Sequence, residues 1–171
     1  MKATRLVVVA LCASLAFACT DHTPTAAPQA PQASLIGSLG SATGFLKCSD
    51  LPFAQSTATI GPNGGAISAG PHTLSIPPGA LSEPVKITMT VPTGRGVNAV
   101  EFAPEGLQFA RSASLTMSYA NCSLLGNLLP KRIAYVSDNL DILYYILSLD
   151  NLFGKRVTGQ VSHFSDYVVA W

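Results

Sequence analysis

Residues 60–81 read IGPNGGAISAGPHTLSIPPGAL and contain three turn signals in a short span. The signals are Gly61-Pro62-Asn63-Gly64-Gly65, Gly70-Pro71 and Pro77-Pro78-Gly79. Proline presets φ at the second position of a turn and glycine accepts a positive φ at the third, so Pro78-Gly79 suits a type II turn. The segments between the signals, residues 66–69 and 72–76, are too short for stable helices and long enough for strands. The stretch therefore predicts a hairpin that feeds an antiparallel sheet.

Alternation of apolar and polar residues continues this β pattern beyond residue 84. In residues 85–91 (VKITMTV), Val85, Ile87, Met89 and Val91 alternate with polar side chains, as in a half-buried strand. Comparable short segments, separated by turn residues, follow at 100–102, 107–109, 114–119, 133–136 and 157–171. Strands at this spacing predict an all-β sandwich or barrel.

Residues 139–149 (NLDILYYILSL) carry apolar side chains on every side. Such a segment fits either a buried strand or a short helix. The adjacent Tyr144 and Tyr145, together with Ile142 and Ile146 and the β-rich surroundings, favour a strand. We therefore predict a strand over this segment.

The N-terminus has the features of a secretory signal peptide. Lys2 and Arg5 precede an apolar run over residues 6–17, which ends in the small-residue pattern Ala16-Phe17-Ala18. A membrane-spanning helix needs about 20 apolar residues, and this run is shorter. Residues 1–18 are therefore predicted to be a signal peptide that is removed on export.

Cys19 follows this cleavage motif directly, and Leu15-Ala16-Phe17-Ala18-Cys19 resembles a bacterial lipobox. The usual pattern places leucine three residues before the cysteine, whereas Leu15 lies four before it, so ordinary cleavage after Ala18 stays open. Residues 20–34 (TDHTPTAAPQAPQAS) are rich in Pro, Ala and Thr, which predicts an extended, disordered tether. A lipid on Cys19, a tether and a folded domain form a consistent order, and lipidation is favoured. Because Thr20 rather than Asp follows the cysteine, the lipoprotein pattern favours the outer membrane, periplasmic or surface-facing.

Two cysteines remain for the folded part of the exported chain. Cys12 is lost with the signal peptide and Cys19 would carry the lipid, which leaves Cys48 and Cys122. In an oxidising compartment a disulfide is the expected state of such a pair. Two buried free thiols are the alternative. A metal site is disfavoured further, because the sequence has no Cys-x-x-Cys and no nearby His pair.

The charge balance of the mature chain is close to neutral. Lys2 and Arg5 leave with the signal peptide, so 8 of the 10 Lys and Arg residues remain against 9 Asp and Glu, a net charge of about −1. This balance predicts neither nucleic-acid binding nor attraction to an anionic membrane surface.

Residues 35–47 (LIGSLGSATGFLK) separate the tether from the β pattern. The apolar residues of this segment are interspersed with Gly37, Gly40 and Gly44, which disfavour a helix. We interpret the segment as a loop or frayed helix, with a membrane-facing segment as the alternative. Residues 19–56 are therefore assigned to the lipidated cysteine, the tether and a Gly/Leu-rich linker, and residues 57–171 to one folded domain.

Four pieces of the sequence occur in an order that resembles the ZU-five domain. They are Gly64-Gly65, residues 76–81 (IPPGAL), Gly106-Leu107-Gln108-Phe109 and the terminal His163-Phe164-Ser165-x-Tyr167. The resemblance covers about residues 57–171 and is most specific at IPPGAL. Arg111-Ser112 replaces the family's usual basic-Pro pair, and no death domain or ankyrin repeat accompanies the module. The resemblance implies an antiparallel β-sandwich, but the signalling and cytoskeletal roles of the animal proteins do not transfer.

Conventional catalytic motifs are not found in the sequence. It has no Gly-x-Ser-x-Gly elbow, no His-Glu-x-x-His and no phosphate-binding loop. The carboxylates are scattered singly, and Asp138 and Asp141 fit turn and cap positions better than a cation site. We therefore predict no cofactor and no metal.

One tripeptide, His163-Phe164-Ser165, resembles known chemistry. In some ZU-five domains and other self-cleaving folds, such a tripeptide cuts itself before the serine. The resemblance implies that Ser165 attacks the Phe164 carbonyl with His163 as general base. The tripeptide also fits a plain final strand, with Phe164 packed inward and His163 and Ser165 on the opposite face.

The sequence thus supports two functional classes. The favoured one is a non-catalytic, lipid-anchored interaction or structural module of the cell envelope, joined to the membrane through Cys19 and contacting an envelope protein or glycan. The alternative is a self-processing domain that cleaves its own backbone between Phe164 and Ser165.

Overall fold

Short segments of alternating burial form strands throughout the described part of the chain, as β-branched residues and alternation favour. The computed structural model describes residues 44–124 and 129–171, and no helix is present in these ranges. In chain order the strands are β1 (Ala54–Ile60), β2 (Gly65–Ala69), β3 (His72–Ile76), β4 (Val85–Val91), β5 (Ala99–Ala103), β6 (Gln108–Ser118), β7 (Arg132–Val136), β8 (Ile142–Ile146), β9 (Ser148–Asn151), β10 (Arg156–His163) and β11 (Asp166–Ala170).

The strands form two antiparallel sheets that pack against each other. The six-stranded sheet has the order β1-β4-β5-β11-β7-β8, and the five-stranded sheet has the order β2-β3-β6-β10-β9. Both sheets contribute apolar side chains to one core, for example Ile87 and Met89 from β4 and Leu115 and Met117 from β6. The predicted antiparallel β-sandwich is therefore confirmed.

The hairpin predicted around residues 60–81 is present. β2 and β3 pair antiparallel, with Ile67 opposite Leu74. Gly79 has a φ of 76°, as the third position of a type II turn requires. Gly64 has a φ of 72°, and a Cβ there would clash with the carbonyl oxygen of Ile76. Glycine at this position is therefore needed both for its backbone conformation and for the close approach of the IPPGAL segment.

The sequence predicts one strand over residues 139–149, and the structure has two. β8 is the edge strand of the six-stranded sheet and pairs with β7, whereas β9 is the edge strand of the five-stranded sheet and pairs with β10. Leu147 stands between them, where the chain passes from one sheet to the other. Neither strand has a fully buried residue: four of their nine residues are exposed and five are half-buried. The apolar content of this segment therefore has a cause other than burial in the core.

The packed fold begins before the predicted domain boundary at residue 57, which lies inside β1. Phe45 and Leu46 are buried, and Phe45 forms an isolated bridge with Ala170 of β11. The part of the predicted linker from residue 44 onward thus belongs to the sandwich.

The predicted signal peptide, the lipidated Cys19 and the tether fall within residues 1–43, outside the described residues. In the two described ranges, no helix has the length and apolar character needed to cross a membrane.

Candidate functional site

The Phe164–Ser165 peptide lies where the chain crosses between the two sheets. β10 ends at His163 in the five-stranded sheet, and β11 begins at Asp166 in the six-stranded sheet. The tripeptide is therefore not part of one continuous final strand, which corrects the prediction of a plain final strand, although Phe164 does pack inward. The Tyr167 hydroxyl donates to the His163 carbonyl oxygen at 2.6 Å and ties β11 to the end of β10. We refer to residues 163–167 as the sheet corner.

The side chain of Phe164 anchors the sheet corner in the core. It is buried, stacks on Phe102 with ring centroids 4.7 Å apart, and meets the Phe109 ring edge to face at 5.1 Å. Its backbone N–H donates to the Leu107 carbonyl oxygen at 2.8 Å. Aromatic pairs of this kind add about 0.5–1.5 kcal/mol each beyond their buried area. The peptide bond that follows Phe164 is thus attached to a rigid element.

Two nitrogen atoms approach the carbonyl oxygen of Phe164. The Gly106 N–H donates to it at 3.2 Å, and Nδ1 of His163 lies 3.3 Å from it. Nδ1 donates only in the tautomer or the charged form in which it carries a hydrogen. Two donors on one carbonyl oxygen are the arrangement that stabilises the negative charge formed during nucleophilic attack.

The side chains of His163 and Ser165 line different cavities. His163 lines a cavity of about 180 Å³ that also contacts Tyr144 and Leu147. Ser165 lines a separate cavity of about 440 Å³. Within the described residues, no hydrogen bond joins His163 to Ser165. The structure therefore places His163 against the carbonyl that would be attacked, rather than against the hydroxyl that it was predicted to activate.

The cavity beside Ser165 is acidic, being lined among others by Arg95, Glu101, Glu105, Asp138 and Asp166. Burial, followed by repulsion from Glu101, raises the pKa of Asp166 from 3.8 to about 6. Arg95 opposes this rise and forms an ion pair with Glu101 at 2.5 Å. The Asp166 carboxyl therefore holds its proton to a higher pH than an ordinary aspartate.

Asp138 and Asp141 lie in the turn between β7 and β8. The Asp141 N–H donates to Oγ of Ser137 at 3.2 Å, and the Ser137 N–H donates to the Asp141 carbonyl oxygen at 3.0 Å. These bonds are those of a side-chain-stabilised turn. Across residues 44–124 and 129–171, no group of three or more His, Cys, Asp or Glu side chains is placed to hold a metal ion.

Cys48 and Cys122 face each other across an isolated antiparallel bridge. The structure pairs their sulfur atoms, and the residues are 74 positions apart in the chain. Asn121 next to them donates to the Ser49 carbonyl oxygen at 2.5 Å and accepts from the Asn98 amide at 2.7 Å. The predicted pair is therefore brought together in a geometry that permits a disulfide.

A surface that the sequence analysis missed runs along one side of the sandwich. We call it the apolar edge, and it consists of Leu143, Tyr144, Leu147, Leu149, Leu152 and Phe153. These side chains are all more than half exposed, with Leu147 at 86% and Phe153 fully exposed. They lie on the edge strands β8 and β9, at the junction between them and in the turn after β9.

The orientation of β9 reverses the usual alternation of a half-buried strand. Ser148 and Asp150 are half-buried, whereas Leu149 is 78% exposed. Oγ of Ser148 accepts the Ile133 N–H at 3.0 Å, and Oδ1 of Asp150 accepts the Tyr119 hydroxyl at 2.5 Å. A strand with polar residues inward and apolar residues outward is expected where its outer face meets a partner. The alternation of polar and apolar residues is visible in the sequence SLDN, but which of the two sets faces inward depends on pairing with the neighbouring strand.

Comparison with known proteins finds no family model that matches this chain, and no curated protein sequence matches it.

Proposed function

We propose that this chain is a non-catalytic, lipid-anchored interaction or structural module of the cell envelope. The observation that carries the proposal is the apolar edge: six large apolar side chains exposed within eleven residues, 143–153, of a rigid sandwich. Contiguous exposed apolar surface on a folded domain marks an interaction site. Scattered single exposures, such as Phe53, need no such explanation.

The anchoring part of the proposal rests on the sequence. The signal peptide over residues 1–18, Cys19 and the Pro/Ala-rich tether support export and attachment through a lipid on Cys19, with the outer membrane favoured. Attachment through a long tether leaves the sandwich free to contact an envelope protein, a glycan or the membrane itself. Membership of the ZU-five family is likewise proposed on the sequence pieces, and the sandwich is the fold that it implies.

Lipid attachment is tested by expressing the full chain and its Cys19→Ser variant in a bacterial host. We expect the wild type in the membrane fraction with an N-terminal mass increased by acyl groups, and the variant in soluble form. Cys12→Ser is the matched control, because Cys12 lies in the predicted signal peptide and its loss leaves attachment unchanged. A soluble wild type whose N-terminal Cys19 is unmodified would contradict the anchoring.

A second candidate function is self-processing at the sheet corner, and the two nitrogen atoms on the Phe164 carbonyl oxygen favour it. Attack of the Ser165 Oγ on the Phe164 carbonyl carbon would convert the amide to an ester and free the Ser165 amine. Water would then hydrolyse the ester, leaving a Phe164 carboxylate and a new N-terminus at Ser165. His163 would act on the carbonyl oxygen in this scheme, as a donor from Nδ1.

Self-processing is tested by the mass of the denatured mature chain after prolonged incubation. Cleavage would separate residues 165–171, which otherwise stay hydrogen-bonded to β5 and β7. Ser165→Ala should abolish this cleavage. Ser162→Ala, at an exposed position of β10, should leave it unchanged. An intact mass for the wild type rules self-processing out and leaves the interaction role unaffected.

A further inference from the structure

The turn that ends the apolar edge displays its apolar residues through an ordered backbone. Leu152 and Phe153 lie at the tip, between β9 and β10. The Gly154 N–H donates to Oδ1 of Asn151 at 2.8 Å, and the Lys155 N–H donates to the Leu152 carbonyl oxygen at 3.3 Å. Phe153 is therefore held in solvent by a hydrogen-bonded turn, and its exposure is not a frayed end.

Cations flank the apolar edge, although the mature chain as a whole is close to neutral. Lys155 and Arg156 are exposed directly after the tip. Arg132 on β7 is also exposed, but its guanidinium lies 5.8 Å from the ring of Tyr145, on the face of β8 opposite to Tyr144. Local charge, rather than net charge, decides what such a surface attracts.

The one acid within residues 142–165 is turned away from this surface. Asp150 accepts the Tyr119 hydroxyl through Oδ1 at 2.5 Å and the Lys131 N–H through Oδ2 at 2.9 Å. Both oxygen atoms of its carboxylate therefore accept hydrogen bonds from inside the sandwich. The outer surface of the segment combines exposed leucines, a tyrosine and a phenylalanine with Lys155 and Arg156. The exposed Asp138 and Asp141 precede β8, at the opposite end of the segment in the chain from this basic pair.

We propose that the apolar edge docks on a lipid bilayer that contains anionic headgroups. Leu152 and Phe153 enter the interface between headgroups and acyl chains, while Lys155 and Arg156 contact the anionic headgroups. Tyr144 has the apolar body and polar tip of residues that lie at this depth. The proposal deepens the interaction role given to the apolar edge, and it does not require a lipid on Cys19.

A second copy of the chain fits this surface less well than a bilayer. A two-fold pairing of the apolar edge would bring Lys155 and Arg156 of both copies to one interface, where like charges repel. The fully exposed Phe153 at the tip also fits insertion into a lipid bilayer better than a flat, self-complementary protein contact.

The test uses the mature chain with Cys19→Ser, so that no lipid contributes, in sedimentation with vesicles. The vesicles are phosphatidylcholine alone or phosphatidylcholine with phosphatidylglycerol, each at low and physiological ionic strength. We expect binding to the anionic vesicles that weakens with salt. Adding Leu152→Ser and Phe153→Ser should lower the partition coefficient by about tenfold or more, because both side chains are exposed and leave the core intact.

Phe53→Ser is the matched control, since Phe53 is an exposed phenylalanine just before β1, at the opposite edge of the six-stranded sheet. This variant should bind as the unsubstituted chain does. Absence of vesicle binding, or equal binding by the tip variant, overturns the proposal. So does sedimentation equilibrium that shows a dimer which the tip substitutions dissociate. A wild-type chain with unmodified Cys19, together with vesicle binding by the Cys19→Ser chain, overturns the lipid anchoring and leaves the docking proposal standing.

Discussion

The hydroxyl of Tyr119 donates a hydrogen bond to Oδ1 of Asp150 at 2.5 Å. Tyr119 follows β6 and is buried in the core, whereas Asp150 lies in the edge strand β9. Burial, together with the Asp150 carboxylate, raises the pKa of Tyr119 well above its ordinary value, so the phenol keeps the proton that it donates. The bond holds Asp150 inward on β9 and so supports the orientation in which Leu149 faces outward.

Tyr119→Phe should therefore destabilise the sandwich by about 2 kcal/mol, because a half-buried carboxylate loses a charged hydrogen bond. The measurement is the free energy of unfolding from urea titration. Tyr144→Phe is the control, since Tyr144 is exposed and its hydroxyl has no hydrogen bond within the described residues. Its effect should stay below about 0.5 kcal/mol. Equal losses for the two variants would show that the Tyr119 bond has no special weight.

His72 makes the fold sensitive to acid. It is fully buried on β3, Nδ1 accepts the Ser118 N–H at 3.0 Å, and Nε2 has no hydrogen-bond partner in the described part of the chain. Burial lowers the pKa of His72 from 6.5 to about 4. Between pH 6.5 and about pH 4, the His72 imidazole is therefore protonated in the unfolded chain and neutral in the folded chain. Stability is fully present above pH 6.5 and falls as the pH drops through this interval.

His72→Asn should remove this acid sensitivity, because the amide oxygen can accept the Ser118 N–H but does not titrate. We expect the wild type to lose up to about 3 kcal/mol more than the variant as the pH falls to the folded pKa. The measurement is urea unfolding at constant ionic strength across the interval. Parallel pH profiles for the two proteins would exclude His72 as the cause.

The pKa shift of Asp166 changes stability with pH in the direction opposite to that of His72. Its folded pKa is about 6 against 3.8 in the unfolded chain, so the folded state holds a proton that the unfolded state has released. Its contribution to stability is present below pH 3.8 and is lost as the pH rises through about 6.

Asp166→Asn should thus raise the free energy of unfolding at neutral pH by about 1–2 kcal/mol, with little effect in acid. Glu83→Gln, at an exposed position outside the acidic cavity, should change neither value. A destabilised Asp166→Asn variant at neutral pH would refute this account.

The parts of the fold that local sequence encodes were predictable. In β4, Ile87, Met89 and Val91 are buried as their alternation indicates. The positive φ of Gly79 follows from the turn chemistry of Pro78-Gly79. Both depend on residues adjacent in the chain, so no partner strand had to be known.

The parts that depend on distant residues were not predictable. Residues 139–149 are apolar on every side, and nothing local shows that they divide between two edge strands. Phe45 follows a glycine-diluted segment, and its burial comes from pairing with Ala170 at the other end of the chain. The Gly106 N–H on the Phe164 carbonyl oxygen is likewise supplied by a different turn. The candidate residues at 163–165 could be named from sequence, but not their partners.

Cys48 and Cys122, the two cysteines that an oxidising compartment would pair, face each other across an isolated antiparallel bridge. Peptide mapping without reductant should recover both cysteines in one linked fragment. A bridge across 74 positions restricts the unfolded chain, so reduction should lower the free energy of unfolding by about 4 kcal/mol in the chain-entropy model. The Cys48→Ser, Cys122→Ser double variant should start at the reduced stability and show no response to reductant. Alkylation of both thiols without prior reduction would contradict the bridge. Because the backbone of residues 47–49 is hydrogen-bonded to Gly96, Asn121 and Ser123, loss of the bridge should also expose this segment first in hydrogen exchange.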